Sequence, residues 1–354
     1  MTRSGLKVAA TCICMVLALA GCSEQASPGA SKSAEPIYVT APLTGIKYLQ
    51  GSDQANGLTR SSVACKIDNS DAARPQLGLN RTDVVFDEMV EGGLTRLVGI
   101  WQSDLPDAIG PVRSIRPMDP DILSAFGGIV CYSGGQAVFT NMMKNTNVFN
   151  ASETSEQGNG TFSRTTSREA PHNVIVNVLK LSSDHPEIAA PPAQFNFAAD
   201  LATATAAAKG QPVTDFSVYF PAALAKWTPS ADGKQWLRTQ DGKVHTDAAD
   251  GSQLHATNVV VMQVDVDHSF KDPRYGNVPK DVVIGIGKAY IFTAGKMVEA
   301  VWTKPSRQTS ISLALADGTP VTLAPGNTWV ELQPKTEGKI AISLSATPSP
   351  TPSK

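Results

Sequence analysis

The chain has 354 residues, 42% of them hydrophobic, with 30 Lys and Arg against 32 Asp and Glu, for a formal charge of −2 at pH 7. That length supports two domains of ordinary size, each with a core of its own. The slightly acidic balance disfavours nucleic acid as a partner, because phosphate backbones are held by an excess of Lys and Arg.

Residues 1–21 read as a secretory signal peptide. Arg3 and Lys7 precede an uncharged apolar stretch from Val8 to Ala20, too short to span a bilayer as a mature helix. It ends Leu19-Ala20-Gly21-Cys22, the lipobox pattern of bacterial lipoproteins, in which a peptidase strips the signal and the Cys22 thiol takes a diacylglycerol. A soluble-secretion signal followed by a chance cysteine is the competing reading. Processing removes Arg3 and Lys7 and leaves 28 basic residues against 32 acidic ones. No second apolar run approaches the roughly 20 residues of a membrane helix. The mature chain is therefore expected on the extracytoplasmic face of the cell membrane, held by acyl chains such as palmitate at Cys22. Of the five cysteines, Cys12 and Cys14 leave with the signal, so Cys65 and Cys131 remain in an oxidising compartment. A disulfide between them, or two buried free thiols on neighbouring strands, both fit.

Residues 22–41 read as a flexible tether, rich in Ser, Ala, Pro and Gly without apolar periodicity. Residues 42–190 read as a mixed α/β domain. It starts near Pro42-Leu43-Thr44-Gly45, with a strand from Val63 to Ile67. Two apolar runs, Val84 to Val90 and Leu94 to Trp101, flank Glu91-Gly92-Gly93, the length and chemistry of a hairpin loop. The next segment, Gly110 to Pro117, carries Arg113 and Arg116 and can be neither long helix nor central strand, because prolines bound it. Asp119-Pro120-Asp121, followed by Ile122, Leu123 and Phe126 and closed by Gly127-Gly128, reads as a short helix with Asp119 as its N-cap. A strand from Ile129 to Tyr132, the turn Ser133-Gly134-Gly135 and a helix from about Gln136 to Lys144 follow. The polar stretch Asn150 to Arg168 reads as a long mobile surface loop.

Pro191-Pro192 lies in the linker to a second domain, residues 191–335. Ala198 to Ala208 suggests a short helix. Beyond it Asp215 to Phe220, Asn258 to Val266, Val282 to Phe292 and Met297 to Trp302 alternate with Gly, Pro and Asp turns, the pattern of a mainly antiparallel β domain. Residues 341–354 read as a disordered tail of Pro, Ser and Thr. The expected fold class is α+β, a mixed α/β N-terminal domain followed by a mainly antiparallel β C-terminal one.

Long specific stretches carry a resemblance: PLTG at Pro42, KIDN at Lys66, ARPQLGL at Ala73, DVVFDEMVEGGLTRLVGIW at Asp83, GPVRSIRPMD at Gly110, SGG at Ser133 and APHN at Ala170. GKVHTD at Gly242, NVVVM at Asn258, WTKPSRQTS at Trp302 and APGNTWVEL at Ala324 continue it. Over nearly all the mature chain the sequence resembles the YerB-like family of bacterial lipoproteins. The resemblance implies two domains and a lipoprotein location and supplies no activity. The sequence departs from the pattern at Trp227 and Trp236, where tyrosines are expected, and through the loop from Asn150 to Arg168.

The candidate chemistry lies in the first domain. Arg96, Arg113 and Arg116 fall within one short region and suggest an anion site, since guanidinium offers bidentate donors to phosphate and carboxylate. Salt bridges to Glu88, Glu91 or Asp87 are the structural alternative. Ser133, Gly134 and Gly135 could offer a nest of backbone N–H groups, and His172 could hydrogen-bond or act as a general base. A tight glycine turn and a structural histidine are their plain readings. His185, His245, His255 and His268 lack metal-ligand spacing, and no nucleotide fingerprint or catalytic triad is present, so neither metal nor cofactor is expected. Trp302 and Trp329 could stack on sugar rings or anchor a sheet. Three functions stay open: an envelope protein binding a phosphorylated or carboxylated ligand, an enzyme acting on such a ligand, and a protein-binding module.

Overall fold

Five strands of the computed structural model are buried along their whole length among the described residues: Val63–Asp68, Val84–Met89, Thr95–Trp101, Ile129–Tyr132 and Thr328–Pro334. Runs of Val, Ile and Leu with few polar breaks are what a sheet covered on both faces requires. The structure describes residues 35–272 and 276–345; Cys22, the signal peptide and the end of the tail lie outside the described residues. The predicted hairpin pairs antiparallel from Val84 opposite Ile100 to Met89 opposite Thr95. Its turn needs glycine, since Gly93 has φ 73° and a Cβ there would meet Pro221 at 2.5 Å.

The sheet runs through both halves of the chain. Phe149–Ser152, Ile129–Tyr132 and Val63–Asp68 lie parallel, and Val63–Asp68 pairs antiparallel with Thr95–Trp101. On the far side of the hairpin Val84–Met89 pairs in parallel with Thr328–Pro334, which leads on to Asn258–Asp272, Gly285–Thr293 and Lys296–Lys304. A second, antiparallel sheet sets Gln211–Phe220 between Lys339–Leu344 and Ala223–Pro229, with Trp236–Gln240 outside the latter. The first half is thus mixed α and β and the second mainly antiparallel β.

Alternation along the strands divides the core in two. Val63, Cys65, Ile67, Val85, Met89, Leu97 and Trp101 face Phe216, Trp227 and Trp236 of the second sheet. Ala64, Val84, Phe86, Val98 and Ile100 face Ile122, Leu123, Phe126 and Phe139 on the helical side. Cys65 and Cys131 stand opposite each other in the parallel register and are disulfide-bonded.

Five local expectations are corrected. The tether does not run to residue 41, because Tyr38–Thr40 is a strand paired with Lys47–Leu49, and the tail does not begin at 341, because Lys339–Leu344 is a strand paired with Gln211–Phe220. The Ala-rich helix is only Thr205–Lys209, because the Asp200 carboxylate accepts the Thr203 N–H and hydroxyl and holds a turn before it. The polar stretch 150–168 contains paired strand, since Phe149–Ser152 joins the sheet and Phe162–Arg164 pairs with Val174–Val176; backbone hydrogen bonds order it without apolar periodicity. Asp119 is the first helical residue, after the N-cap Met118, and is fully buried. Its Oδ1 accepts from Lys66 Nζ at 2.7 Å and its Oδ2 from the Arg116 N–H at 2.6 Å.

Lys66 is itself fully buried and also donates to Glu88. Burial, and next Asp119, push the Glu88 carboxyl up to about 8 against the pull of Lys66. Across the sheet, Arg238 is 0% exposed and reaches Asp87 Oδ2 at 2.5 Å and Glu331 Oε1 at 3.7 Å. Its guanidinium carbon lies 4.9 Å from the centre of the Trp329 ring and 5.7 Å from that of Trp227. Trp329 and Trp302 are thus buried and cannot serve as sugar platforms.

Removing the cation from this cluster strands two buried carboxylates, so Arg238→Ala should lose about 3 to 5 kcal/mol in urea unfolding; a loss below about 1 kcal/mol would mean that the cluster contributes packing alone. A second expectation concerns pH. Folding raises Glu88 from its ordinary 4.5 to about 8, so the native state binds more protons across that window. The contribution of this group to stability therefore falls as pH rises through the window and levels off above it. Between about pH 6 and pH 8 the melting temperature of Glu88→Gln should decline less than that of the parent. Equal slopes would show that Glu88 does not carry that proton.

Candidate functional site

The arginine segment is fixed by backbone bonds on both sides. The Asp68 N–H donates to the Pro111 carbonyl at 2.9 Å and the Arg113 N–H to the Lys66 carbonyl at 2.8 Å, which joins the segment to the end of the Val63–Asp68 strand. On its other side the Ser133 N–H donates to the Arg113 carbonyl at 3.0 Å, and the Ile115 N–H to the Gly134 carbonyl at 3.2 Å. The strap is irregular, as its prolines require, yet closely held.

Arg96 projects from the middle strand of this region, directly opposite Asp68 on one neighbour and Glu88 on the other. Residues opposite each other share a face, so Asp68, Arg96 and Glu88 form a polar row on the helical side of the sheet. An open cleft of about 390 Å³ lies at the end of this row, lined by Asp68, Glu91, Leu94, Arg96, Arg113, Arg116 and His172 among others. Four predicted residues, Arg96, Arg113, Arg116 and His172, thus meet in one place.

Ser133, Gly134 and Gly135 do not line it. They back the strap, where Ser133 Oγ donates to Glu153 Oε2 at 2.6 Å and a Cβ on Gly135 would press on Thr140 at 2.9 Å. The helix they precede begins only at Ala137.

Two of the arginines have carboxylate partners. Arg116 Nε lies 2.8 Å from Glu91 Oε2, and Arg113 Nε lies 3.3 Å from Asp68 Oδ2. Arg113 also donates to the Pro171 carbonyl at 3.2 Å, which ties it to the loop carrying His172. His172 Nδ1 sits 2.6 Å from the same Asp68 oxygen and 3.3 Å from Ser70 Oγ. Burial pushes the Asp68 carboxyl up, but the Ser70 N–H, Arg113, His172 and Arg96 outweigh it and hold it below its usual range. Asp68 organises the cleft and had no part in the expectations; only its place in KIDN, opposite Arg96 if the strands pair in register, could have pointed to it.

Arg96 differs from both. It is 7% exposed, its Nη1 donates to the Ser114 carbonyl at 3.1 Å, and its Nε, like that of Arg113, is buried without a hydrogen bond. Among the described residues no carboxylate pairs with it. Burial, and next the Arg116 charge, bring its guanidinium down to about 10, with Arg113 adding to the effect.

A second cleft of about 280 Å³ is lined by Asp71, Arg74, Lys243 and His245 among others. There Arg74 is met by Asp241 at 2.8 Å and Asp71 at 3.3 Å. Burial, then Arg238 and Arg74, keep His245 well below its ordinary range, and it lies between Arg238 and Gln76 in a hydrogen-bonded chain. Among the described residues no group of His, Cys, Asp and Glu could hold a metal ion.

Comparison with known proteins places this architecture. Residues 43–189 match the N-terminal domain, and residues 216–330 the C-terminal domain, of the family described as "Protein of unknown function (DUF3048)". The chain is 25% identical over 346 residues to the Bacillus subtilis (strain 168) protein named "Putative lipoprotein YerB", covering 94% of this chain and 96% of that one. It is similar in fold to the crystal structure of the YerB protein from Bacillus subtilis, with a TM-score of 0.71 at 22% identity over 86% of this chain and 99% of that chain. Since the two matched segments contribute the strands of the shared sheet and the arginine cleft, in the family's own order, the chain belongs to the DUF3048 family.

Proposed function

We propose that the mature protein is anchored by lipid at Cys22 to the extracytoplasmic face of the cell membrane, and that its arginine cleft binds an anionic, phosphorylated or carboxylated, ligand of the cell envelope. The anchoring half is supported by the Leu19-Ala20-Gly21-Cys22 pattern and by the lipoprotein name of the Bacillus relative. No helix among the described residues is long and apolar enough to cross a membrane.

The binding half rests on Arg96, a nearly buried guanidinium without a carboxylate partner among the described residues, beside two more arginines in an open cleft. A charge buried among like charges is costly unless something of opposite sign answers it. An enzyme acting on the same ligand is the second reading, favoured by the Asp68–His172 contact of 2.6 Å at the cleft. Ser70 meets the same imidazole nitrogen as Asp68, so these three residues do not form a nucleophile relay. Turnover of a bound ligand would select this second reading.

Replacement of Cys22 by Ser should release the protein from the membrane fraction and abolish incorporation of labelled palmitate; a variant that stays bound and labelled refutes the anchor. For the cleft, a thermal-shift series with small anions and envelope fragments should raise the melting temperature of the parent by several degrees, the effect of about 3 kcal/mol at a hundredfold excess over Kd. Arg96→Gln should keep the near-ultraviolet circular dichroism of the parent and lose that response. A folded Arg96→Gln protein with the response intact would leave the cleft without this role.

A further inference from the structure

The cleft's charges can be taken one step further, to the kind of anion it accepts, on the reading that it is an anion site. Its lining carries three guanidiniums, Arg96, Arg113 and Arg116, and two carboxylates, Asp68 and Glu91, which leaves one positive charge apart from His172. The surplus is located on Arg96, since Arg113 is paired with Asp68 and Arg116 with Glu91. Beneath the cleft Lys66 is shared by Glu88 and Asp119. With Glu88 held protonated up to about 8, that buried group is neutral as well near pH 7.

The free donors have a shape. Arg96 Nη1 is occupied by the Ser114 carbonyl, whereas Nε has no partner and Nη2 makes no hydrogen bond among the described residues. Nε–H and one Nη2–H point the same way along one edge of a guanidinium, the edge that meets two oxygens of a single oxyanion side by side. A second negative charge on that ligand would find no further unpaired cation and would face Asp68 and Glu91. Beside the charges, Val90 and Leu94 also line the cleft, with Leu94 45% exposed, so an apolar group can adjoin the bound oxygens.

We propose that the cleft selects a singly charged oxyanion, a carboxylate or a phosphodiester flanked by an apolar group, held on the Nε–Nη2 edge of Arg96, and discriminates against dianions such as phosphomonoesters. Glu91 and Asp68 set this preference by cancelling two of the three guanidinium charges.

The test titrates the full mature chain in detergent, at constant ionic strength near pH 7, with acetate, dimethyl phosphate and sulfate, and reads each Kd by calorimetry. The better of the two monoanions should bind at least about tenfold more tightly than sulfate, and their order identifies carboxylate or phosphodiester as the source. Glu91→Gln leaves Arg116 uncompensated and should shift the preference toward sulfate by about tenfold or more. Arg96→Lys keeps the charge, loses the paired edge and should weaken the preferred monoanion by a similar factor. Sulfate binding as well as either monoanion in the parent, or an unchanged preference in Glu91→Gln, overturns the proposal while leaving an anion site in place. A parent that binds none of the three overturns the anion reading together with it.

Discussion

Arg238 lies fully buried between the rings of Trp227 and Trp329, and its charge is met by Asp87 from the first half of the chain and Glu331 from the second. Asp87 and Glu331 are register partners on adjacent parallel strands, so the contact fixes which residue of the Val84 strand faces which residue of the Thr328 strand. Burial, and next Glu331, hold the Asp87 carboxyl well above its usual range, with Arg238 pulling the other way. A slip of one residue would turn Asp87 away from Arg238 and leave that cation unanswered in the core. The joining of the two halves therefore depends on a charge that tolerates only one register.

The adjacent residue, Glu88, faces the other way. Alternation sends Val85, Asp87 and Met89 toward the second sheet and Val84, Phe86 and Glu88 toward the helices. One six-residue strand thus supplies both the cluster that joins the halves and the floor beneath the cleft. Met89 links them further, because its N–H donates to Asp281 at 2.8 Å, a buried carboxyl held well above its usual range by burial. Since the register holding Asp87 against Arg238 also sets Glu88 opposite Arg96, the site inherits its geometry from the seam between the halves.

Much of this was legible in the sequence, and what was not has a common cause. The hairpin, the strands around it and the irregular strap follow from apolar runs, Gly92-Gly93 and the prolines at Pro111 and Pro117, which act through local backbone geometry. The fold class followed from the same signals. Arg96, Arg113 and Arg116 stand out by type, and a hairpin followed directly by a short strap leaves them little room to separate. Asp68, Lys66, Arg238 and Glu331 were illegible because each sits in a strand, and only cross-strand register reveals which charges meet. Asp119 shows the same limit: its local context suggests a cap, and Lys66, which lies 53 residues away in sequence, takes its carboxylate. Ser133-Gly134-Gly135 looked like a nest because glycine permits one, but the turn backs the strap, which takes the Ser133 N–H and the Gly134 carbonyl.

The two buried arginines differ in how the chain meets their charges. Arg238 has everything its charge requires from the chain itself: two carboxylates, two rings and the His245 nitrogen at 2.7 Å. Arg96 is nearly as buried, yet among the described residues no carboxylate forms an ion pair with it and the charges of Arg116 and Arg113 act against its own; its Nε–H is unmet, as are those of Arg238 and Arg113. An unmet buried donor costs about 1 to 3 kcal/mol, a sizeable fraction of the few kcal/mol by which a domain is usually stable. The arrangement persists because Arg96 stands on a central strand, locked by two register partners and braced by the Cys65–Cys131 bond one strand away, so it cannot relax by swinging out to solvent. The scaffold thus holds Arg96 beside the cleft in a position that its own carboxylates do not pair, and the two register partners that fix the strand fix that position as well.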